Sequence, residues 1–317
     1  MLQPPSPSPP DEEIRDLGFG SIVTRESRQR LLNPDGSFNV ERTGLNFWTS
    51  LSLYHTLLTL SWPRFFGAVT LFYLGTNAFF AGLYVLCGPG ALNFPDSVVI
   101  HNAFLNAFFF SVQTLGTIGY GHVSPVGLAA NIVVTVEALT GLLGIALVTG
   151  VVFARFSRPS AKILFSRQAI IAPYQSGTAF EFRIANARNN QIIELEAKVL
   201  FSRFELENGR QVRRFHLLPL ERSKVVFFPL SWTIVHPIDT GSPLYGVTAQ
   251  ELENSDAEFL ILLQGIEETF SQIVHTRSSY KADEVVWNAR FTDIYNRPMD
   301  EQKISMDIGR LSEIKRL

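Results

Sequence analysis

Thr117-Ile118-Gly119-Tyr120-Gly121 closes the stretch SVQTLGTIGYG (111–121), and the surroundings of these five residues decide the fold. Glycine tolerates backbone conformations that other residues avoid. A backbone carried through such conformations can turn successive carbonyls to one side, where they replace the water shell of a dehydrated cation. A tyrosine between two glycines is also an ordinary turn in a soluble β protein, so the flanking sequence has to arbitrate.

From Phe65 to Ala154 only Asp96 and Glu137 carry a full formal charge. Phe65 to Leu86 has none, and about 20 apolar residues at a helical rise of about 1.5 Å span a hydrocarbon core of about 30 Å. A second apolar stretch runs from Val126 or Gly127 to Ala154 and is longer, so it is expected to tilt or project from the bilayer. Arg64 precedes the first stretch; Arg155, Arg158, Lys162 and Arg167 follow the second; the connection from Cys87 to Pro125 has neither Lys nor Arg. By the positive-inside rule both termini are expected in the cytoplasm. Within the connection, His101 to Thr114 is apolar and of helical composition but too short to span, as a re-entrant helix would be. Irregular backbone at membrane depth is tolerated only where it lines a cavity or is buried in protein. One chain cannot surround an ion; four copies about an axis can.

The rest of the 317-residue chain has another character. After about Ser160, short runs such as AFEFRIA (179–185), IIELEAKVLF (192–201) and EFLILLQGI (258–266) are rich in β-branched and aromatic residues and are separated by turn signals. They read as an antiparallel β-sandwich. Thr248, followed three residues later by Glu251, is a capping box for one helix there. The proline-rich start cannot bury a core. Leu45–Leu60 is uncharged and of mixed polarity, fit to lie along the membrane surface, with Trp48, Tyr54 and Trp62 at headgroup level. The expected division is a disordered segment over 1–34, a strand and an interfacial slide helix over 35–62, a transmembrane pore domain over 63–158, and a sandwich over 159–317. The net charge of −2 gives no argument for nucleic-acid binding, and the single cysteine, Cys87, rules out an intrachain disulfide. The six histidines are scattered with no nucleophile or metal constellation, which argues against an enzyme.

Together these blocks resemble the inward-rectifier potassium channels, most closely their prokaryotic branch. GIALVTGVVFARFSRP (144–159), NARNNQIIELEAKV (186–199), WTIVHPIDTGSPLYG (232–246) and HTRSSYKADEVVW (275–287) join SVQTLGTIGYG in carrying the likeness. The resemblance implies a membrane α plus all-β fold: two transmembrane helices with a re-entrant pore helix and filter, then a cytoplasmic immunoglobulin-like β-sandwich. It implies a lipid-regulated homotetramer in the cell inner (plasma) membrane, with K+ as the permeant ligand and no cofactor. The carbonyls of Thr117, Ile118, Gly119 and Tyr120 would bind K+, with Gly121 closing the filter. Ala138, Leu142, Ile145, Thr149 and Phe153, spaced by three and four, share a helix face; the resemblance implies that this face lines the cavity and that Phe153 forms the gate. Ile145 stands where strong rectifiers of the family carry an acid, so polyamine block is expected to be weak. Glu194 and Glu268 match acids facing the cytoplasmic vestibule. Arg155, Arg158 and Lys162 are placed for anionic headgroups. Glu137 is expensive within a membrane and reads as a buried partner behind the filter, or as an ion or proton site. The alternative function is a membrane-anchored sensor or binding protein with a vestigial pore.

Overall fold

The computed structural model describes residues 28–40, 53–94, 102–157, 162–188, 190–207, 209–296 and 305–317. The chain divides by contacts into a helical unit (43–158) and a β unit (1–42 with 159–317).

The helical unit opens with α1 (Leu53–Thr59) and, after Leu60 and Ser61, α2 (Trp62–Leu86). Pro63 is admitted in the first turn of α2 because the first N–H groups of a helix have no intrahelical acceptor. Helix α3 (Ala103–Leu115) starts at Asn102, whose side chain accepts a hydrogen bond from Leu105 N–H at 3.0 Å. Helix α4 (Gly127–Phe156) is 30 residues long. Between these helices, β1 (Leu92–Asn93) pairs with β2 (Ser124–Pro125) and closes the connection. Only 22% of the most apolar window of α2 and 11% of that of α4 are buried within the chain. A core helix of a soluble protein would be mostly covered; these two present apolar surface nearly all round.

The β unit holds two five-stranded sheets. The first is built from β6 (Ile192–Glu207), β7 (Arg210–Leu217), β8 (Lys224–Phe228), β10 (Glu258–Glu267) and β11 (Gln272–Lys281). The second is built from β3 (Ile163–Phe165), β4 (Ala169–Tyr174), β5 (Gly177–Asn186), β9 (Ser231–Ile238) and β12 (Val285–Trp287). Alternation along β5 sends Phe180, Phe182 and Ile184 inward. Phe180 stacks on Phe259 of the opposite sheet at 4.1 Å between centroids, and Phe259 on Phe201 at 5.0 Å. The first contact joins the two sheets and fixes how the layers face, and the second pairs neighbouring strands within the first sheet. Helix α5 (Ala249–Asn254) carries the expected capping box: Thr248 Oγ1 accepts from Glu251 N–H and the Glu251 carboxylate accepts from Thr248 N–H.

The expectation of disorder over 1–34 needs correction at its end. Residues 28–34 are packed on the first sheet: Leu31 and Leu32 are buried with Phe215 and Leu260. The carboxylate of Glu258 accepts both Leu31 N–H (2.9 Å) and Leu32 N–H (3.1 Å), and Arg213 Nη1 lies 3.8 Å from it. Arg30 reaches Glu284 at 2.9 Å. The proline-rich composition of the first ten residues does not extend to this apolar pair. Residues 1–27, and 41–52 including Trp48 and the start of the slide helix, lie outside the described residues.

His236 on β9 is buried. Its Nδ1–H donates to the Pro219 carbonyl at 2.6 Å, so Nε2 is free to accept the Ser242 hydroxyl at 2.7 Å, and Ser242 Oγ in turn accepts from Leu244 N–H. Burial pushes the imidazole below its ordinary value, partly opposed by the Pro219 carbonyl and by Asp239. The neutral ring thus pins the 239–246 loop. The unfolded chain takes up a proton on this ring below about pH 6.5 while the native ring does not, so stability is full above that pH and is lost as pH falls below it, down to the lowered native value. Thermal unfolding of the purified protein is therefore expected to fall more steeply between pH 7.5 and 5.5 in the wild type than in His236→Gln; equal slopes would contradict this.

Candidate ion-conduction site

The last turn of α3 hands its backbone directly to residues 116–121. Gly116 N–H donates to Val112 O (3.1 Å) and Thr117 N–H to Thr114 O (3.0 Å). The Gln113 carbonyl then accepts twice, from Ile118 N–H (2.8 Å) and Gly119 N–H (3.3 Å). Those bonds hold an irregular segment that helix or sheet pairing cannot hold. Thr117 (φ 53°), Gly119 (φ 59°) and Gly121 (φ 82°) are left-handed, and Ile118 and Tyr120 between them are not. Alternating hands reverse the turn of each peptide relative to the last, so carbonyls that would alternate in a strand come to point the same way. Tyr120 stacks on the His122 ring at 5.8 Å. Thr117 was not expected to adopt positive φ; a β-branched residue there is strained by about 1–3 kcal/mol and persists only where its surroundings hold it.

Of the inner-helix stripe, Ala138, Leu142, Ile145, Thr149 and Phe153 are all exposed in the single chain. Exposure alone does not single them out, since Leu128, Leu139, Leu143 and Leu147 are exposed too. More telling is a recess between α2 and α4 in which Ile145 and Thr149 share a wall with Gly116, the residue before Thr117. That sets these two beside the inner end of the 117–121 segment. Phe153 stands 72% exposed near the end of α4.

Of the four α4 glycines, the three in the body of the helix differ. A Cβ on Gly141 would lie 2.4 Å from the Leu115 carbonyl oxygen, whereas one on Gly144 or Gly150 would meet nothing within 4 Å. Gly141 is thus where the long helix touches the base of α3.

The basic residues divide. The Arg155 side chain lies over the rings of Trp62 (4.5 Å) and Phe65 (4.7 Å). Its Nη1 donates to Leu57 O and its Nη2 to Leu60 O, at 2.6 Å for the latter. These carbonyls end α1, so Arg155 ties the interfacial helix to the end of α4. Both ends of the guanidinium are thus engaged by carbonyls within the protein, which leave its positive charge in place. Lys162 is exposed; Arg158 lies outside the described residues. In the β unit, Glu194 and Glu268 are both exposed and come to one end of the first sheet. Glu194 sits on a bulge with φ 55° and is ion-paired with Lys224 at 2.5 Å, while Glu268 lies in the β10–β11 turn.

A long helix pair around a short third helix, which ends in a segment of alternately left-handed backbone, is the arrangement of a channel pore domain. Residues 68–158 match the family described as "Ion channel", and residues 163–317 match the "Inward rectifier potassium channel C-terminal domain". The chain is 44% identical over 302 residues to the "Inward rectifier potassium channel Kirbac3.1" of Paramagnetospirillum magnetotacticum, covering 93% of this chain and 99% of that one. It is 27% identical over 319 residues to the "ATP-sensitive inward rectifier potassium channel 12" of Gallus gallus (92% and 73% of the two chains). It is 29% identical over 300 residues to the human "G protein-activated inward rectifier potassium channel 3" (85% and 74%). The chain belongs to the inward rectifier potassium channel family. It is a membrane ion channel with a pore domain followed by the family's β-rich domain, not an enzyme, and a sensor with a vestigial pore is not favoured.

The glycine geometry yields opposite signs for two substitutions of one kind. In an open helical position Gly→Ala is favourable by about 0.5–1 kcal/mol, so Gly144→Ala is expected to leave thermal stability unchanged or raised. Gly141→Ala must displace α3 and is expected to cost about 1–3 kcal/mol. Melting curves of the two purified variants check this; equal behaviour would contradict the close approach.

Proposed function

We propose that four copies of this chain surround one axis and conduct K+ selectively through the carbonyls of Thr117, Ile118, Gly119 and Tyr120, with Gly121 completing the turn. The observation that carries this reading is the alternating left-handed backbone at Thr117, Gly119 and Gly121. It gives one chain a quarter of an oxygen cage and no means to close it. Ala138, Leu142, Ile145 and Thr149 line the cavity below, and Phe153 narrows the inner mouth, where four rings gate by dewetting. The chain sits in the plasma (inner) membrane with both termini cytoplasmic, as the basic residues at 155–167 favour.

At the inner vestibule, Glu268 adds negative charge, but the Glu194–Lys224 pair cancels part of it, so cation concentration there is modest. Anionic lipid is left chiefly to Lys162 and Arg158. Arg155 serves the joint between α1 and α4, through which motion at the membrane surface reaches Phe153 two residues earlier.

Proteoliposomes holding the purified channel test the reading. Rb+ and K+ are expected to enter well above Na+, with block by Ba2+, and Gly119→Ala is expected to lose that selective flux because alanine is strained at φ 59°. Equal Na+ and K+ entry in the intact wild type would sink it. Internal polyamines are expected to block the wild type weakly and Ile145→Asp strongly; no change in a conducting Ile145→Asp would remove Ile145 from the cavity wall.

A further inference from the structure

The carboxyl of Glu137 on α4 is fully buried and meets hydroxyls from two other helices. Tyr84 Oη of α2 lies against Oε2, and Ser111 Oγ of α3 lies against Oε1. Ser111 Oγ has a second neighbour, Asn77 Oδ1 of α2, at 3.0 Å. Asn77 Nδ2 donates to the Tyr73 carbonyl at 2.7 Å. Because that carbonyl can only accept, the amide must turn its nitrogen toward it and its oxygen toward Ser111.

Counting hydrogens then decides the charge. Ser111 Oγ stands between two oxygens and owns one proton. If Glu137 were a carboxylate, both neighbours would be acceptors, and one of the two contacts, such as that to Asn77 Oδ1 at 3.0 Å, would be oxygen against oxygen with no hydrogen between. If Glu137 carries a proton on Oε1, each of these four contacts has one hydrogen and one acceptor. The Glu137 hydroxyl donates to Ser111 Oγ, Ser111 to Asn77 Oδ1, Asn77 Nδ2 to Tyr73 O, and Tyr84 Oη to Glu137 Oε2. Among the described residues of the three helices, no basic group lies near enough to compensate a charge. Helices α2, α3 and α4 contain two basic residues, Arg64 and Arg155, and no histidine. Arg155 lies about 27 Å along α4 from Glu137, and Arg64 about 30 Å along α2 from Tyr84, at the helical rise per residue. A buried, unpaired carboxylate is the costly form at such a site.

The same carboxyl is placed to matter for the 117–121 segment. Glu137 and Gly141 are one turn apart on α4, and Ser111 and Leu115 are one turn apart on α3. The helices therefore meet at two successive rungs, Glu137 on Ser111 and Gly141 against the Leu115 carbonyl. Gln113, between those rungs, holds Ile118 and Gly119. We propose that Glu137 is protonated at neutral pH and is a positioning residue: the hydrogen bond it donates to Ser111 sets the depth of α3 and so the alignment of the 117–121 carbonyls. The second half of this rests on the reading of that segment as the K+ path.

Wild type, Glu137→Gln and Glu137→Ala, purified and reconstituted in liposomes, separate the alternatives. Infrared difference spectra at pH 7 are expected to show a protonated carboxylic acid carbonyl band in the wild type that is missing from Glu137→Gln. Glutamine can donate to Ser111 and accept from Tyr84, so its K+/Na+ discrimination in Rb+ uptake is expected to stay within about twofold of wild type, against a loss of about tenfold in Glu137→Ala, the worth of about one hydrogen bond. Absence of the band from the wild type, or a glutamine variant as unselective as the alanine one, overturns the proposal. If Glu137→Ala does not assemble, the spectrum and the glutamine variant decide it. A wild type that fails to tell K+ from Na+ refutes the conduction reading instead, and the band still decides the proton.

Discussion

One carbonyl, that of Gln113, accepts the N–H groups of both Ile118 and Gly119, and the rest of the pore unit can be understood as what is needed to support that arrangement. A backbone whose hand alternates at Thr117, Gly119 and Gly121 cannot pair with a neighbouring strand, and at membrane depth irregular backbone must be held by protein or line a cavity. It must be suspended from something rigid. Helix α3 supplies the suspension. Helices α2 and α4 hold α3 through Tyr84, Asn77 and Glu137, and through the missing side chain at Gly141. What α2 and α4 leave uncovered, mainly the apolar surface of α4, is left for lipid and for other copies.

The sequence was informative wherever a pattern is local. Charge-free length located both long helices: Trp62–Leu86 against an expected 65–86, and Gly127–Phe156 against an expected end near 154. The extra turn at the start of α2 takes in Pro63, which a first turn admits, and Arg64, whose charge marked the apolar boundary. Asn102 started α3 two residues after the apolar run begins, because its side chain caps the helix. Period-two alternation revealed the sandwich, and the spacing of Thr248 and Glu251 its helix.

Partners distant in the chain were not legible. Glu137 read as a buried group without a named partner, since Tyr84 is 53 residues away and Ser111 is 26 away. Arg155 read as a lipid contact because nothing local shows that α1 ends beside it and offers two free carbonyls. The pairing of Lys224 with Glu194 depends on the register of β6 with β8, which no local pattern gives. Leu31 and Leu32 were overlooked because the composition of the first residues was extended too far.

In the proposed channel the 117–121 carbonyls of assembled copies bind K+ stripped of water. Binding to the assembled form alone must stabilise it by mass action. The temperature at which the purified oligomer dissociates, measured in K+ and in Na+ at equal ionic strength, tests this directly. Clearly higher resistance is expected in K+, rising with K+ concentration; identical dissociation temperatures in the two salts would rule out K+ binding by the assembled segment.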